Sequence, residues 1–183
     1  MTGRQHIFAG TCLSAGMLLG GHPVDAAIAG ILLGSLLPDI DSRTSTLGLL
    51  FPSACGAARV ISGHRGFTHS ITFAGIIAFL AYYYKSLFLT GLLLGSGFHI
   101  ILDTFTGSGI RAFFPFKKKL KIFGVKSGKW LSWMITWIMA IGAFAITFFI
   151  NGESSGAPLY CAAKQLVKKL PEIFACAKQY AGI

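Results

Sequence analysis

The chain has 183 residues, of which 54% are hydrophobic and only 12% charged. Soluble domains carry about 25% charged residues, so there is too little polar surface here to wrap a water-soluble globule, and a mean hydropathy of +0.67 excludes disorder. Sixteen Lys and Arg against six Asp and Glu give a net charge of +10, which in so apolar a chain points to loops facing an anionic leaflet rather than to nucleic acid.

Five apolar segments follow in chain order, over residues 6–20, 24–37, 67–84, 87–105 and 130–150. A spanning helix needs about 20 residues. The last three segments meet that. The first two are short and rich in Gly and Ala, and they read as a helical hairpin turned at Gly20-Gly21-His22-Pro23. Arg4 and the run that follows also fit the start of a signal peptide, but His6 opens the run and no good cleavage site precedes a mature domain, so an uncleaved helix is expected. The predicted fold is all-α: a polytopic membrane bundle of about five transmembrane or membrane-embedded helices over residues 1–150, followed by an amphipathic tail over 151–183.

Small residues recur at helical spacing. Ala26, Gly30 and Gly34 share one face of the second segment, and Gly91 and Gly95 share one face of the fourth. Such faces let helices approach closely where lipid supplies no hydrophobic drive. The fourth-segment stripe continues through His99 to Asp103 at i, i+4 spacing.

Basic residues alternate between loops. Arg4, Arg43, Arg59, Arg65, Arg111, Lys117, Lys118, Lys119, Lys121, Lys126 and Lys129 fall on one side of a five-span arrangement, and only Lys85 on the other before the tail. The positive-inside rule therefore predicts a cytoplasmic N-terminus and a periplasmic tail, in the inner membrane. The lysines after the fourth segment interleave with Phe113, Phe114, Phe116, Leu120, Ile122 and Phe123. This pattern suits an interfacial segment at headgroup depth better than a base-stacking surface, so membrane lipids are the expected partners and nucleic acid is not.

Groups able to bind metal or move protons are scarce and unevenly placed. His6 starts the first segment, Asp39 and Asp41 follow the second, His64 and His69 introduce the third, and His99 and Asp103 close the fourth. Helices alternate direction, so these four places share one side, the cytoplasmic one by the charge rule. Taken singly, each motif has a structural reading: a buried pair for His99 and Asp103, a helix-ending turn for Asp39 and Asp41, packing for His69 with Thr68 as helix cap. Taken together, three carboxylates and four imidazoles at one membrane depth call for one or two divalent cations, because ionisable groups near lipid are costly unless paired. Imidazole suits zinc, while carboxylate also admits manganese or magnesium. His22 and Asp25, at the opposite end, read as structural, and Glu153 and Glu172 as solvated.

His6, Leu37-Pro38-Asp39-Ile40-Asp41, His64-Arg65-Gly66-Phe67-Thr68-His69-Ser70 and His99-Ile100-Ile101-Leu102-Asp103 together resemble the membrane-bound metal-dependent hydrolase family of bacteria and archaea, the YdjM-like, LexA-regulated inner-membrane proteins. The resemblance covers roughly residues 1–150. It implies a link to the SOS response and a distant likeness to zinc-dependent phospholipases C, which are all-helical and hold metals through His and Asp.

The expected activity is metal-assisted hydrolysis of a phosphoester or similar bond at the cytoplasmic face. His6, His69, His99 and Asp103 are the preferred ligands, with Asp39 or Asp41 bridging or completing a second site. The remaining Asp would accept a proton from water or orient a ligating histidine, and His64 would be ligand or general acid. Arg65 and Arg111 are candidates for an anionic substrate oxygen or, equally, for anchoring at the membrane surface. A site at the surface suits an amphiphile such as a phospholipid or polyprenyl phosphate. A transporter would place its ionisable groups along a midplane pathway, and a scaffold would not depend on them. Oligomeric state stays open. Cys12, Cys55, Cys161 and Cys176 form no CxxC pair, which argues against a structural zinc knuckle. A bond between Cys161 and Cys176 needs Pro171 to fold the tail into a hairpin, since one unbroken helix would hold them about 22 Å apart.

Overall fold

The computed structural model describes residues 1–21, 25–43, 45–56, 66–107, 109–116, 118–165, 168–169 and 171. Helices dominate them, and no strand forms among them beyond two isolated bridges, Thr106 with Val125 and Ile110 with Leu120. Six helices carry the architecture: α1 (Gly3–Leu19), α2 (Asp25–Leu36), the short α3 (Thr46–Leu50), α4 (Ile71–Tyr84), α5 (Leu87–Thr104) and α6 (Trp130–Ser155). Two 3-10 turns, Leu37–Asp41 and Phe67–His69, stand between them.

Local chemistry sets the boundaries. Thr2 precedes α1, and Gln5 reaches back to accept its N–H at 2.9 Å. Pro38 at the first turn of Leu37–Asp41 ends α2 and tightens the chain into 3-10 geometry. Ser70 caps α4 by accepting the Phe73 N–H at 3.1 Å, and Ser86 caps α5 through the Leu89 N–H. Thr68 therefore does not cap the third helix as expected. Its hydroxyl lies one 3-10 turn too early and serves Asp41 instead.

The expected third span is also shortened. Residues 67–69 form the 3-10 turn, which leaves α4 with 14 residues, about 21 Å of helix against a hydrocarbon thickness of about 30 Å. Among the described residues, α5 and α6 are long and apolar enough to cross a membrane, by length and composition. The last helix runs past the expected end at Ile150 to Ser155, because Asn151 hydrogen-bonds back to the Thr147 carbonyl, and stops at Gly156 in the left-handed region (φ 62). Residues 158–165 of the tail are helical, with Tyr160 folded back against Phe148. Leu166, Val167, Leu170, Ile173, Phe174 and Cys176 lie outside the described residues, as does His22.

The most extensive packing joins α2 to α5, followed by α1 to α6, α4 to α5 and α1 to α2. The glycines of the two small-residue stripes meet each other, whereas Ala26 is exposed and Ala27 occupies the contact in its place. A Cβ on Gly30 or Gly34 would run into backbone atoms of α5, and one on Gly91 or Gly95 would run into the carbonyls of Ala27 and Ile31 on α2. The helices thus touch backbone to backbone, the close approach that small residues allow. On the far side, α1 sets Phe8 against Trp137 of α6 with ring centroids 4.3 Å apart, and Gln5 donates to Ser132 at 3.0 Å. The outward faces stay apolar: Tyr82, Phe79, Ile138, Ile146 and Ile150 are all exposed.

Candidate metal centre

The direct α2–α5 contact and the two 3-10 turns converge at one end of the bundle. His6 comes from the first turn of α1, Asp39 and Asp41 from the first 3-10 turn, His69 from the second, and His99 and Asp103 from successive turns of α5. All six are buried. His6 Nε2 lies 3.3 Å from Asp103 Oδ1. His69 Nε2 lies 3.4 Å from Asp39 Oδ1 and 3.6 Å from Asp103 Oδ2. His99 Nε2 lies 3.7 Å from Asp39 Oδ1 and 4.0 Å from Asp103 Oδ2. The His6 and His99 rings stack at 3.5 Å, inclined by 11°. The Met1 amino group also contacts Asp103.

Two overlapping donor sets result, His6 with Asp39 and His99, and His69 with His99 and Asp103. His99 belongs to both. Its other ring nitrogen, Nδ1, faces the Ser35 carbonyl at 2.7 Å. A carbonyl accepts only, so Nδ1 carries the proton and the Nε2 lone pair points into the cluster. His69 is held in a similar way. Asp41 Oδ2 stands 3.7 Å from its Nδ1 and accepts the Thr68 hydroxyl at 3.2 Å, while Nε2 faces Asp39 and Asp103. Carboxylate or carbonyl partners of this kind orient ligating histidines.

The donor chemistry fits a divalent cation. Both nitrogens of His6, His69 Nε2 and His99 Nε2 are buried and make no hydrogen bond, an arrangement that leaves buried polar atoms unsatisfied at a desolvation cost that a cation on the lone-pair nitrogens would offset. Two ligands on one tetrahedral zinc, with bonds of about 2.0–2.1 Å, sit about 3.3 Å apart, close to the shorter separations here. Electrostatics agree. Burial alone would raise the Asp39 carboxyl and lower the His69 imidazole; their close pairing reverses both, holding Asp39 well below the usual carboxylate range and, with Asp41, pushing His69 up to about 9. Asp39 and Asp41 thus favour a proton on His69 over its loss, and a metal ion, by supplying the positive charge itself, would displace that proton and free the Nε2 lone pair.

Of the residues singled out in the sequence, these six come together. His64 and Arg65 lie outside the described residues. Arg111 is half-buried beyond the end of α5 and pairs with no carboxylate among the described residues. Cys161 is exposed. Sequence reasoning missed the Ser35 carbonyl, because a backbone acceptor leaves no side-chain signature; its place in the last turn of α2, where carbonyls lack helical partners, was the available signal. It also missed the Thr68 hydroxyl, whose adjacency to His69 could have flagged it.

A helical bundle with two span-length apolar helices and a buried His/Asp cluster at one end is the build of a membrane protein with a candidate metal centre. The chain belongs to the family described as YdjM inner membrane protein, whose model matches residues 1–166. It is similar to the uncharacterized protein YvsG of Bacillus subtilis, 38% identical over 120 residues, which cover 63% of this chain and 74% of that one. It is also similar to the inner membrane protein YdjM of Escherichia coli and of Shigella flexneri, each 33% identical over 110 residues, 55% of this chain and 53% of theirs. The match thus spans about half the length of the latter two. No solved structure matches the chain.

Proposed function

We propose that this protein is a multi-pass, metal-dependent hydrolase of the inner membrane, acting on a phosphoester or related bond of an amphiphile at the cytoplasmic face. The observation that carries the reading is the convergence of three histidines and three aspartates from four chain segments, buried, with imidazole nitrogens that make no hydrogen bond. In a chain with only six acids and five histidines, such grouping at one bundle end favours a functional site over solvated or structural placement. Supporting the multi-pass arrangement, α1, α2, α4 and α5 alternate so that donors from these helices or the turns beside them meet, and the basic segment after α5 is hydrogen-bonded at that end.

Each group then has a task. His99, His69 and His6 offer Nε2 lone pairs, with Asp39 and Asp103 supplying negative charge. A bound divalent ion, zinc by the donor set or manganese or magnesium, would supply a Lewis acid and an acidified water. Asp41, on the outer nitrogen of His69, holds that ring's tautomer through a contact that Thr68 supports. Arg65, four residues before His69, and Arg111, eight after Asp103, are the basic residues assigned to offer a phosphoryl oxygen a charged partner. A phospholipid or polyprenyl phosphate would bring its headgroup to this depth while its chain stayed in lipid.

The test is elemental analysis of detergent-purified protein beside His69→Ala and Asp103→Ala, followed by hydrolysis of a chromogenic phosphodiester. Stoichiometric metal in the wild type and its loss in both variants is the expected result; wild type without metal ends the reading. Asp41→Asn is expected to keep the site but weaken it, lowering metal affinity about 10–100-fold, as changes to a ligand's outer partner do. Competition against a calibrated chelator measures that drop, and an unchanged affinity would remove Asp41 from this role.

A further inference from the structure

The segment joining α5 to α6 has features that the candidate centre does not use. Between residues 104 and 129 there is no acid, while Arg111, Lys117, Lys118, Lys119, Lys121, Lys126 and Lys129 are basic. Lys118, Lys119, Lys121 and Lys126 are exposed, and no ion pair engages them among the described residues. Exposed beside them are Phe113 (62%), Phe116 (71%) and Phe123 (72%), with Ile122 and Leu120. A solvated loop would hide such rings or lack them.

The segment is folded, not trailing. Ile110 and Leu120 exchange backbone hydrogen bonds at 3.0 and 2.8 Å, and Ile110 and Ala112 are buried beneath with Ile100. Its edges are fastened to the two elements that carry the cluster. The Ile122 N–H donates to the Thr104 carbonyl and the Val125 N–H to that of Phe105, immediately after Asp103. The Ile71 N–H donates to the Ala112 carbonyl and the Thr72 hydroxyl to that of Phe114, immediately after His69. Because it connects two span-length helices, it emerges at a membrane surface.

We propose that the described residues between 105 and 128 form a docking surface for anionic phospholipid headgroups, Lys118, Lys119, Lys121 and Lys126 meeting phosphate and the phenylalanines entering the headgroup–acyl boundary, fastened to the elements that carry the His/Asp cluster. Charge complementarity selects this occupant: rings flanked by unpaired lysines match a surface that is anionic above and apolar below. The proposal rests on α5 and α6 spanning the membrane and not on any metal chemistry.

Full-length protein in neutral maltoside micelles, exchanged with equimolar phosphatidylglycerol and phosphatidylcholine, is read by native mass spectrometry for retained lipid. Wild type is expected to keep phosphatidylglycerol preferentially, and Lys118→Gln/Lys119→Gln/Lys121→Gln to lose that preference about a hundredfold, about fivefold per lysine. Phe113→Ser/Phe123→Ser is expected to weaken both lipids alike. Lys168→Gln/Lys169→Gln, in the tail, is expected to change nothing. Equal retention of the two lipids by wild type, an equal loss in the tail variant, or displacement of phosphatidylglycerol by duplex DNA or by RNA would each overturn the proposal. Release of the protein from membranes by alkaline carbonate would overturn it through the span assignment, whatever the metal content proves to be.

Discussion

Alanine at His99 is expected to strip the protein of every ion it binds, whereas alanine at His6 is expected to spare part of that content if two ions are held. The asymmetry follows from the geometry. His99 belongs to both donor sets, and His6 to one. Losing one of three protein ligands removes a large fraction of a binding free energy that reaches about 10–16 kcal/mol for structural zinc sites, so loss from the affected position is complete at micromolar protein. Ions per chain, measured by elemental analysis after exhaustive dialysis, distinguish the cases. One ion in wild type, absent from both variants, means a single shared centre. Two in wild type, one in His6→Ala and none in His99→Ala means a pair. An ion retained by His99→Ala contradicts the shared role. Circular dichroism run alongside guards against simple unfolding, since the variant also strands the buried Ser35 carbonyl, at a cost of about 1–3 kcal/mol.

A second large effect is expected one turn earlier on the same helix. Gly95→Ala places a methyl against the Ile31 carbonyl of α2, and Gly91→Ala places one against that of Ala27. Backbone cannot swing aside as a side chain does, so the helices must part. Overpacking of this kind costs about 1–3 kcal/mol, which outweighs the gain of about 1 kcal/mol that alanine brings over glycine in a helix. The double variant is expected to melt well below wild type in detergent and to bind metal more weakly, because parting α2 from α5 lengthens the hydrogen bond between His99 Nδ1 and the Ser35 carbonyl. Gly97 supplies the contrast. It stands in the same helix, and an added methyl there would meet nothing within 4 Å, so Gly97→Ala is expected to be neutral or slightly stabilising. Equal thermal shifts for Gly95→Ala and Gly97→Ala would show that backbone contact between α2 and α5 is not what holds them.

The cluster was legible in the sequence because it depends on alternation of direction alone: residues at the start of one helix and the end of the next must share a side. The glycine stripes were legible because a four-residue period fixes a face. What escaped is what local geometry decides. Pro38 and the Phe67–His69 turn bend the backbone into 3-10 form, shortening α4 and moving Thr68 off the cap position, and hydropathy averaged over a window does not register such a turn. Asn151 and Gly152 look like the beginning of a tail, yet a helix already nucleated by a long apolar run carries polar residues forward at little cost, until Gly156 turns it. The Ser35 carbonyl was invisible because every residue has one.

That every donor stands within about a turn or two of a helix end, or just beyond one, has a consequence for how such a protein is made. Helices enter a bilayer in hairpins, and a carboxylate carried to mid-depth before its partners exist costs about 2.5–3.5 kcal/mol even on insertion scales. Here Asp39 and Asp41 trail α2, His69 precedes α4, and Asp103 is the penultimate residue of α5. In the multi-pass arrangement proposed above, each would remain wet at the headgroup level while its hairpin goes in, and only lateral assembly afterwards, bringing α2 glycine to glycine against α5, would close water out. A polar centre built at one rim of the bundle can thus be put together from pieces that are each harmless to insert alone.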